Sequence, residues 1–298
     1  MKNKSILSLF DDISYYKRYF VNPEKYLQRM FHKRMGYELN LLNPQTYNEK
    51  LQWMKLYDHN PLYTKLVDKY EVKQYVSESI GSQYIIPTIA VWDSVCDIDF
   101  DMLPNQFVLK CTHDSGGLVI CKDKTSFDIS NAKKILRKSL RRNFYYMGFE
   151  WPYKDVKPRI IAEIYMEDST VKELRDYKFF CFDGKVKALF IATERQKEGV
   201  DVKFDFFDEN FNHLALKQGH ENARKVPEKP ICFEEMKTLA SILSKNLPHV
   251  RVDFYEVDGK IYFGEMTFFH HGGWTPFEPK EWDIIFGNWL NIPLKTAL

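Results

Sequence analysis

Four residues near the C-terminal end have types and spacing suited to chemistry: Arg251-x-Asp253 on one β-rich run and Glu265-x-Thr267 on the next. Side chains two apart in a strand share a face. Arg251, Asp253 and Tyr255 therefore point one way, and Phe263, Glu265 and Thr267 share a face of the second run. Asp258-Gly259 lies between them, and the whole reads as a hairpin. Two carboxylates and an arginine on one surface suit a hard divalent cation and a charged transition state. The hairpin reads as the metal and catalytic floor of a nucleotide-using enzyme; the bland alternative is a surface ion pair. Register decides between the two. A two-residue loop with regular pairing sends Asp253 and Glu265 to opposite faces. A shared face requires a three-residue loop, Asp258-Gly259-Lys260, or a bulge.

A second constellation starts at Phe107-Val108-Leu109-Lys110-Cys111, a strand with a lysine near its end. It runs into Thr112-His113-Asp114-Ser115-Gly116-Gly117 and returns through Leu118 to Cys121. Glycine lets backbone N–H groups approach phosphate oxygens, and the lysine adds charge. Phosphate-binding loops of the Walker and dinucleotide types enter a helix, whereas this one returns as a strand. It reads as a flap over phosphates, although Ser-Gly-Gly is also ordinary hairpin chemistry. Spaced aspartates at Asp97, Asp99 and Asp101 read as a solvated loop. Those three, or Asp205 with Asp208, are the metal carriers that a glycosyltransferase would need.

These residues must be positioned by helices and strands. Residues 14–35 are amphipathic, basic and aromatic, with a break at Asn22-Pro23; a packed helix with a solvated face is the favoured reading over a membrane or partner surface. Thr46 and Glu49 have capping-box spacing for a helix to about residue 57. A single helix is expected over 61–79, ended by Gly81. Residues 130–143 form a basic amphipathic helix whose default is again a solvated face. Buried strands are expected at 159–166 and 176–182, the latter returning through Asp183-Gly184 over 186–192. A helix over 233–247 precedes the opening hairpin.

Composition bounds the alternatives. At 298 residues and 44% hydrophobic, the chain can bury a large core. Aromatic content of 16% suits either a heavy core or a stacking site, the core being the favoured explanation. A net charge of +2 gives no global field for nucleic acid. Five scattered cysteines without Cys-x-x-Cys point to a reducing compartment rather than a disulfide frame or zinc site. The N-terminal apolar run is too short for a signal peptide, and no stretch has the length of a membrane span. The chain reads as cytoplasmic, with the inner face of the membrane as an alternative location. Its oligomeric state is not readable.

Taken in order, Asp68-Lys69-Tyr70, the Lys110–Gly116 stretch, Glu150-Trp151-Pro152-Tyr153, Asp176-Tyr177-Lys178, Arg251-Val252-Asp253 and Gly264-Glu265-Met266-Thr267 resemble the ATP-grasp superfamily. More closely they resemble the TupA-like ATP-grasp proteins encoded among bacterial surface-polysaccharide genes. The resemblance covers roughly residues 43–287. It implies an α+β ATP-grasp fold of two lobes, each with an antiparallel sheet and helices, behind a helical N-terminal region. The expected boundaries are 1–60 for the extension and 61–298 for the grasp domain, with a small lid lobe over about 84–165 and a large lobe over about 166–298.

The resemblance also implies roles. Lys69 and Lys110 would touch the phosphates of ATP, with His113, Ser115, Gly116 and Gly117 in a lid over them. Glu163, Tyr165 and Met166 would bind adenine, and Asp176, sharing a strand face with Lys178, would take the ribose. Asp253 and Glu265 would hold one or two magnesium ions, with Thr267 where an asparagine is usual. Arg251 would stabilise an acyl phosphate and the intermediate formed from it, with N–H groups of Gly272 and Gly273 facing the oxyanion. The implied activity is a ligase that turns ATP to ADP and phosphate while joining an amine to a carboxylate. The implied partners are a small-molecule amine and a glycan, or a nucleotide- or lipid-linked sugar carboxylate. A glycosyltransferase of the same pathways and a non-catalytic scaffold are the alternatives.

Overall fold

The computed structural model describes residues 15, 17–169, 174–194, 199 and 201–293. The N-terminal apolar run and residues 170–173, between the strands expected at 159–166 and 176–182, lie outside the described residues. The first half carries helices α1 (Pro23–Met35), α2 (Tyr47–Tyr57), α3 (Leu62–Val67), α4 (Val72–Ser79), α5 (Ile129–Leu140) and α6 (Tyr145–Gly148). Strands β1 (Thr88–Trp92), β2 (Phe107–Cys111), β3 (Leu118–Cys121) and β4 (Ile160–Ile164) form an antiparallel sheet in the order β1-β4-β2-β3. In the second half, β5 (Asp176–Phe182), β6 (Lys185–Thr193), β7 (Lys203–Asp208), β8 (His213–Leu214), β10 (His249–Val257) and β11 (Lys260–Thr267) form a six-stranded sheet. Its order is β11-β10-β5-β6-β7-β8. A two-stranded pair joins β9 (Lys217–Gln218) to β12 (Phe277–Glu278), and α7 (Phe233–Leu243) and α8 (Glu281–Trp289) complete the chain.

Local sequence explains the helix ends. Asn22 accepts from Lys25 N and Pro23 opens α1, while Gly36 ends it with φ +80°. Thr46 and Glu49 form both halves of the capping box on α2. The single helix expected over 61–79 is two, because Asp68 interrupts it. Its backbone is extended (φ −72°, ψ 115°), its Oδ1 accepts from Tyr70 N at 2.8 Å, and its Oδ2 meets Arg159 Nη2 at 2.8 Å. A short acceptor side chain that caps the next turn competes with helix continuation. Helix α2 is no appendage of the grasp domain. Tyr47, Leu51, Trp53 and Met54 are all in the largest core cluster, so the helical stretch expected as an extension contributes its last helix to the large lobe.

The large sheet is covered on both faces, which accounts for the aromatic excess. Phe179 and Phe254 pack toward α7, with Phe233 centred 6.1 Å from Phe179. The other face is graded along its length. Paired positions run His249/Phe182, Arg251/Phe180, Asp253/Lys178 and Tyr255/Asp176. The first pairs lie under Tyr47 of α2 and Phe286 of α8, with Tyr47 centred 5.2 Å from His249 and Phe286 5.2 Å from Phe180. Beyond that aromatic roof the same face becomes charged and looks into a cleft beneath the small sheet. All five cysteines are free.

Candidate active site

The hairpin resolves the register question. Val257 pairs with Lys260, so the loop is the two residues Asp258 and Gly259, at φ +50° and +71°. Regular pairing continues to Phe254 opposite Phe263 and then shifts, placing Asp253 opposite Glu265 and Arg251 opposite Thr267. Gly264 is the extra residue of a bulge. A Cβ there would sit 3.1 Å from the Asp253 carbonyl oxygen and 3.2 Å from the Tyr255 ring, so glycine permits the close approach. The bulge also corrects one expectation. Phe263 pairs with Phe254 and packs against its ring at 6.3 Å rather than joining the face of Glu265 and Thr267.

Arg251 is the centre of this face. Its Nε and Nη2 donate to the two oxygens of Asp253 at 2.7 Å each, and Nη2 also reaches Glu265 Oε1 at 3.2 Å and Thr267 Oγ1 at 3.1 Å. Nη1 donates to His270 Nδ1 at 2.7 Å, and His270 Nε2 donates to Gln218 Oε1 at 3.0 Å. That pattern fixes a neutral imidazole protonated at Nε2. Burial first, then the neighbouring His271 and Arg251, push the His270 pKa well below the ordinary value. Lys178 Nζ pairs with Asp253 and, at 2.6 Å, with Asp176 Oδ2.

The two carboxylates are unlike. Asp253 is buried, with a side chain 1% exposed, and burial raises it to about 6 against the pull of Arg251 and Lys178. The Glu265 side chain is 42% exposed. Burial works against its charge too, but Lys178, Arg251, Lys69 and Lys110 outweigh that and hold it at about 2. An oxygen donor set of this kind fits a hard cation. Glu265 carries the accessible carboxylate, whereas both Asp253 oxygens are already hydrogen-bonded to Arg251 or Lys178. Among the described residues no group of three or more His, Cys, Asp or Glu is arranged around a metal position. The third oxygen at this face is the Thr267 hydroxyl.

The opposite wall carries the lysines. Lys110 Nζ meets Glu163 Oε2 at 2.6 Å, and Lys73 Nζ meets Oε1 of the same carboxylate. Lys73 also donates to Ile86 O at 2.8 Å and Thr88 Oγ1 at 2.6 Å. Burial alone would raise Glu163, and the two lysines reverse that, keeping it below the ordinary value. The Glu163 carboxylate, expected beside adenine, is thus clasped between two cations. Lys73 was not among the expected site residues; its spacing of four from Lys69 was the available signal. Lys69 Nζ donates to Asp114 O, at the base of the glycine loop.

The loop divides into a tethered base and a free tip. His113 is buried, and its Nε2 donates to Ser139 O at 3.2 Å and Arg142 O at 3.1 Å at the end of α5. It anchors the loop rather than facing phosphate, contrary to the expectation. Asp114 accepts from Ser139 Oγ and from Gly117 N, and a Cβ on Gly117 would lie 2.7 Å from Cys111 Cβ. Gly117 is therefore a packing glycine. Ser115 and Gly116 are the exposed tip.

A cavity of about 280 Å³ opens between these walls, lined among others by Lys69, Lys73, Lys110, Asp176, Lys178 and Glu265. A second cavity of about 220 Å³ adjoins it through Ile86, Lys110, Leu118, Glu163 and Tyr255. Its remaining lining is largely apolar and includes Val108, Ile120, Tyr165 and Met166. One end of the cleft is thus charged and the other suited to a flat apolar group.

Gly272 and Gly273 stand elsewhere than expected. Gly272 N donates to Phe269 O at 2.8 Å, within its own turn, so it is not turned to an oxyanion. The two glycine carbonyls accept from Gln52 Nε2 at 3.0 and 2.8 Å, and Lys55 Nζ donates to Gly272 O at 2.7 Å. Both glycines are buried against α2, where a Cβ on Gly273 would lie 3.1 Å from Leu51 Cβ. Three of the five aspartates considered as alternative metal carriers are also engaged locally. Asp205 is buried and bonded to His213 and Ala223 N, Asp208 accepts from Asn210 and Asn212, and Asp99 accepts from Asp101 N.

A comparison with curated proteins gave no match. Among solved structures the chain is similar to a D-alanine–D-alanine ligase from Bacillus anthracis complexed with ATP, at 17% identity over 68% of this chain and 53% of that one, with a TM-score of 0.39. It is similar to the ATP-grasp ligase PsnB complexed with minimal precursor, Mg and ADP, at 8% identity over 74% and 57%, with a TM-score of 0.39. A D-alanine–D-alanine ligase from Helicobacter pylori matches at 13% identity over 83% and 70%, with a TM-score of 0.42. The chain spans about half the length of the first of these, 53%. The sequence pattern of the TupA-like ATPgrasp family matches residues 49–291. With that match over most of its length, the chain belongs to the TupA-like ATP-grasp family and has the ATP-grasp fold.

Proposed function

We propose that this protein is an ATP-dependent carboxylate–amine ligase. The observation that carries the reading is the two-ended cleft, with Tyr165 and Met166 at its apolar end and Lys178 and Glu265 at its charged end, where Glu265 is bonded to the buried Arg251. Adenine takes the apolar end, and Asp176 lies on the path toward the ribose. Lys69, Lys110 and Lys178 take phosphate oxygens, under the Ser115–Gly116 tip. Glu265, Asp253 and Thr267 are the residues to hold magnesium, which when bound neutralises charge on the terminal phosphates. A substrate carboxylate oxygen attacks the γ-phosphorus, and ADP leaves. The amine nitrogen then attacks the acyl carbon of the resulting acyl phosphate, phosphate leaves, and the nitrogen gives up a proton. Arg251 stabilises charge on the acyl oxygen.

For the substrates, we infer a uronic acid-type carboxylate of a bacterial surface polysaccharide, or of its nucleotide- or lipid-linked precursor, and an amino acid or other amine. The resemblance to TupA-like proteins is what supports this choice, and the reverse assignment of the two partners uses the same chemistry. The test is an ADP-release screen of amino acids against uronic-acid acceptors, with mass spectrometry of the product. A product lighter by water than the sum of both substrates is expected. ADP release with a phosphorylated or glycosylated product instead would overturn the ligase reading. A non-catalytic ATP-grasp frame is the second reading, favoured by the threonine at position 267 and by its hydroxyl bonding to Arg251. Nucleotide binding without ADP formation over the whole panel would select it.

A further inference from the structure

Two basic stretches far apart in sequence meet in the fold. Residues 17–36 and 129–147 carry twelve Lys and Arg against one acid, Glu24, in a chain of net charge +2. Taken singly, each is an ordinary solvated helix face. The structure joins them end to end. Arg18 Nη1 donates to Tyr146 O at 3.2 Å and Met147 O at 2.9 Å, and the Tyr19 ring stacks on Tyr146 at 3.7 Å. Tyr15 Oη accepts from Asn143 N at 2.7 Å, with the Arg142 guanidinium 5.6 Å from the Tyr15 ring centre. Lys17, Lys25, Lys33, Lys138 and Arg141 are exposed on the two joined stretches. Phe20 stands at it 93% exposed, and Met147 is 42% exposed.

We propose that this junction docks on an anionic lipid bilayer, with Phe20 entering the headgroup–acyl boundary and the surrounding cations held by lipid phosphates. Charge complementarity explains the twelve-to-one imbalance in a nearly neutral chain. A bilayer is favoured over nucleic acid by Phe20, because only the bilayer offers an apolar phase beneath its phosphates. The surface lies outside the cleft and uses none of its residues, so the proposal stands or falls independently of the ligase reading.

The test is co-sedimentation of the full chain with phosphatidylcholine vesicles with and without phosphatidylglycerol, beside a duplex RNA control. Each removed cation weakens binding by about fivefold at low salt. The quadruple variant K25Q/K33Q/K138Q/R141Q is therefore expected to lose about six-hundredfold, and Phe20→Ser to weaken binding at unchanged charge. All five side chains are exposed, so both variants should keep the wild-type melting temperature, which is measured alongside. Binding confined to phosphatidylglycerol vesicles, salt-sensitive and lowered in both variants, supports the proposal. No co-sedimentation, equal binding to pure phosphatidylcholine, or an unchanged affinity in either variant overturns it. Equally tight binding to RNA with no effect of Phe20→Ser would replace the bilayer by nucleic acid.

Discussion

At the scale of single residues, the site is a balance of buried charges that nucleotide phosphates would disturb. Asp253 and Glu265 share Arg251 but differ in what their loss does. Asp253→Asn and Glu265→Gln should each lower ADP release by at least about a hundredfold. Asp253→Asn should also cost about 3 kcal/mol of stability, because it leaves a buried guanidinium short of its bidentate partner. Glu265→Gln should melt like the wild type. A steady-state ADP assay and a melting curve on both variants check this, and retained turnover in either would sink the metal assignment. Lys73 makes a second case. It holds one oxygen of Glu163 while Lys110 holds the other. Without it, Glu163 has Lys110 as its remaining cation among the described residues and draws that lysine away from phosphate. Lys73→Met is expected to raise KM for ATP about tenfold while kcat stays within about threefold, with Lys73→Arg restoring most of the loss. The residue types of the site were legible because lysines, acids and glycines occur in a fixed order. Pairwise geometry was not: nothing in the string says that His270 accepts from Arg251, or that His113 turns inward to α5.

At the scale of elements, the strands are legible in the sequence because alternation and turn residues act locally. Both strands of the opening hairpin and the capping box on α2 stand where propensity puts them. The break at Asp68 is not legible locally because its partner, Arg159, arrives from a distant part of the chain. The spacing alone admits either a three-residue loop or a bulge, and the bulge at Gly264 is the one formed. It supplies a prediction at this scale. A Cβ at Gly264 meets backbone, the Asp253 carbonyl, and cannot be relieved by a side-chain rotation. Gly264→Val should therefore distort the pairing between Asp253 and Glu265, lowering ADP release by about a hundredfold for a stability loss of about 1–3 kcal/mol. Gly259→Ala, with nothing near its Cβ, is the control for the hairpin. Its cost should be confined to backbone strain at φ +71° and should leave turnover within about threefold.

At the scale of the molecule, the same sheet face that carries the site also carries its acid sensitivity. His249 is wholly buried, with Nδ1 donating to Cys181 O at 3.0 Å and Nε2 accepting from Tyr47 Oη at 2.9 Å. Burial lowers its pKa from 6.5 to about 3. The unfolded chain therefore binds a proton that the folded chain refuses between those values. The stabilisation is complete above about pH 6.5 and is lost at about 1.4 kcal/mol per pH unit as pH falls toward 3. Urea midpoints measured from pH 7 to 4.5 should fall accordingly. His249→Gln should flatten the slope by one proton; His270 and His271, whose pKa values are also lowered by burial, add to the slope, while Asp253, raised by burial to about 6, opposes it below that pH. One further feature ties the molecule together. The tip of the opening hairpin is fastened to the chain that leaves the small sheet: Asp258 N donates to Asp168 Oδ2 at 3.0 Å, and Ser169 N donates to Asp258 Oδ1 at 3.0 Å. Asp253 lies five residues down that strand, about 17 Å at strand rise. Swinging the small lobe would thus pull on the far end of a lever whose ladder is interrupted only at Gly264. The bulge is thus the place where the β10–β11 ladder can absorb a displacement at its tip, and the carboxylates of Asp253 and Glu265 stand directly beside it.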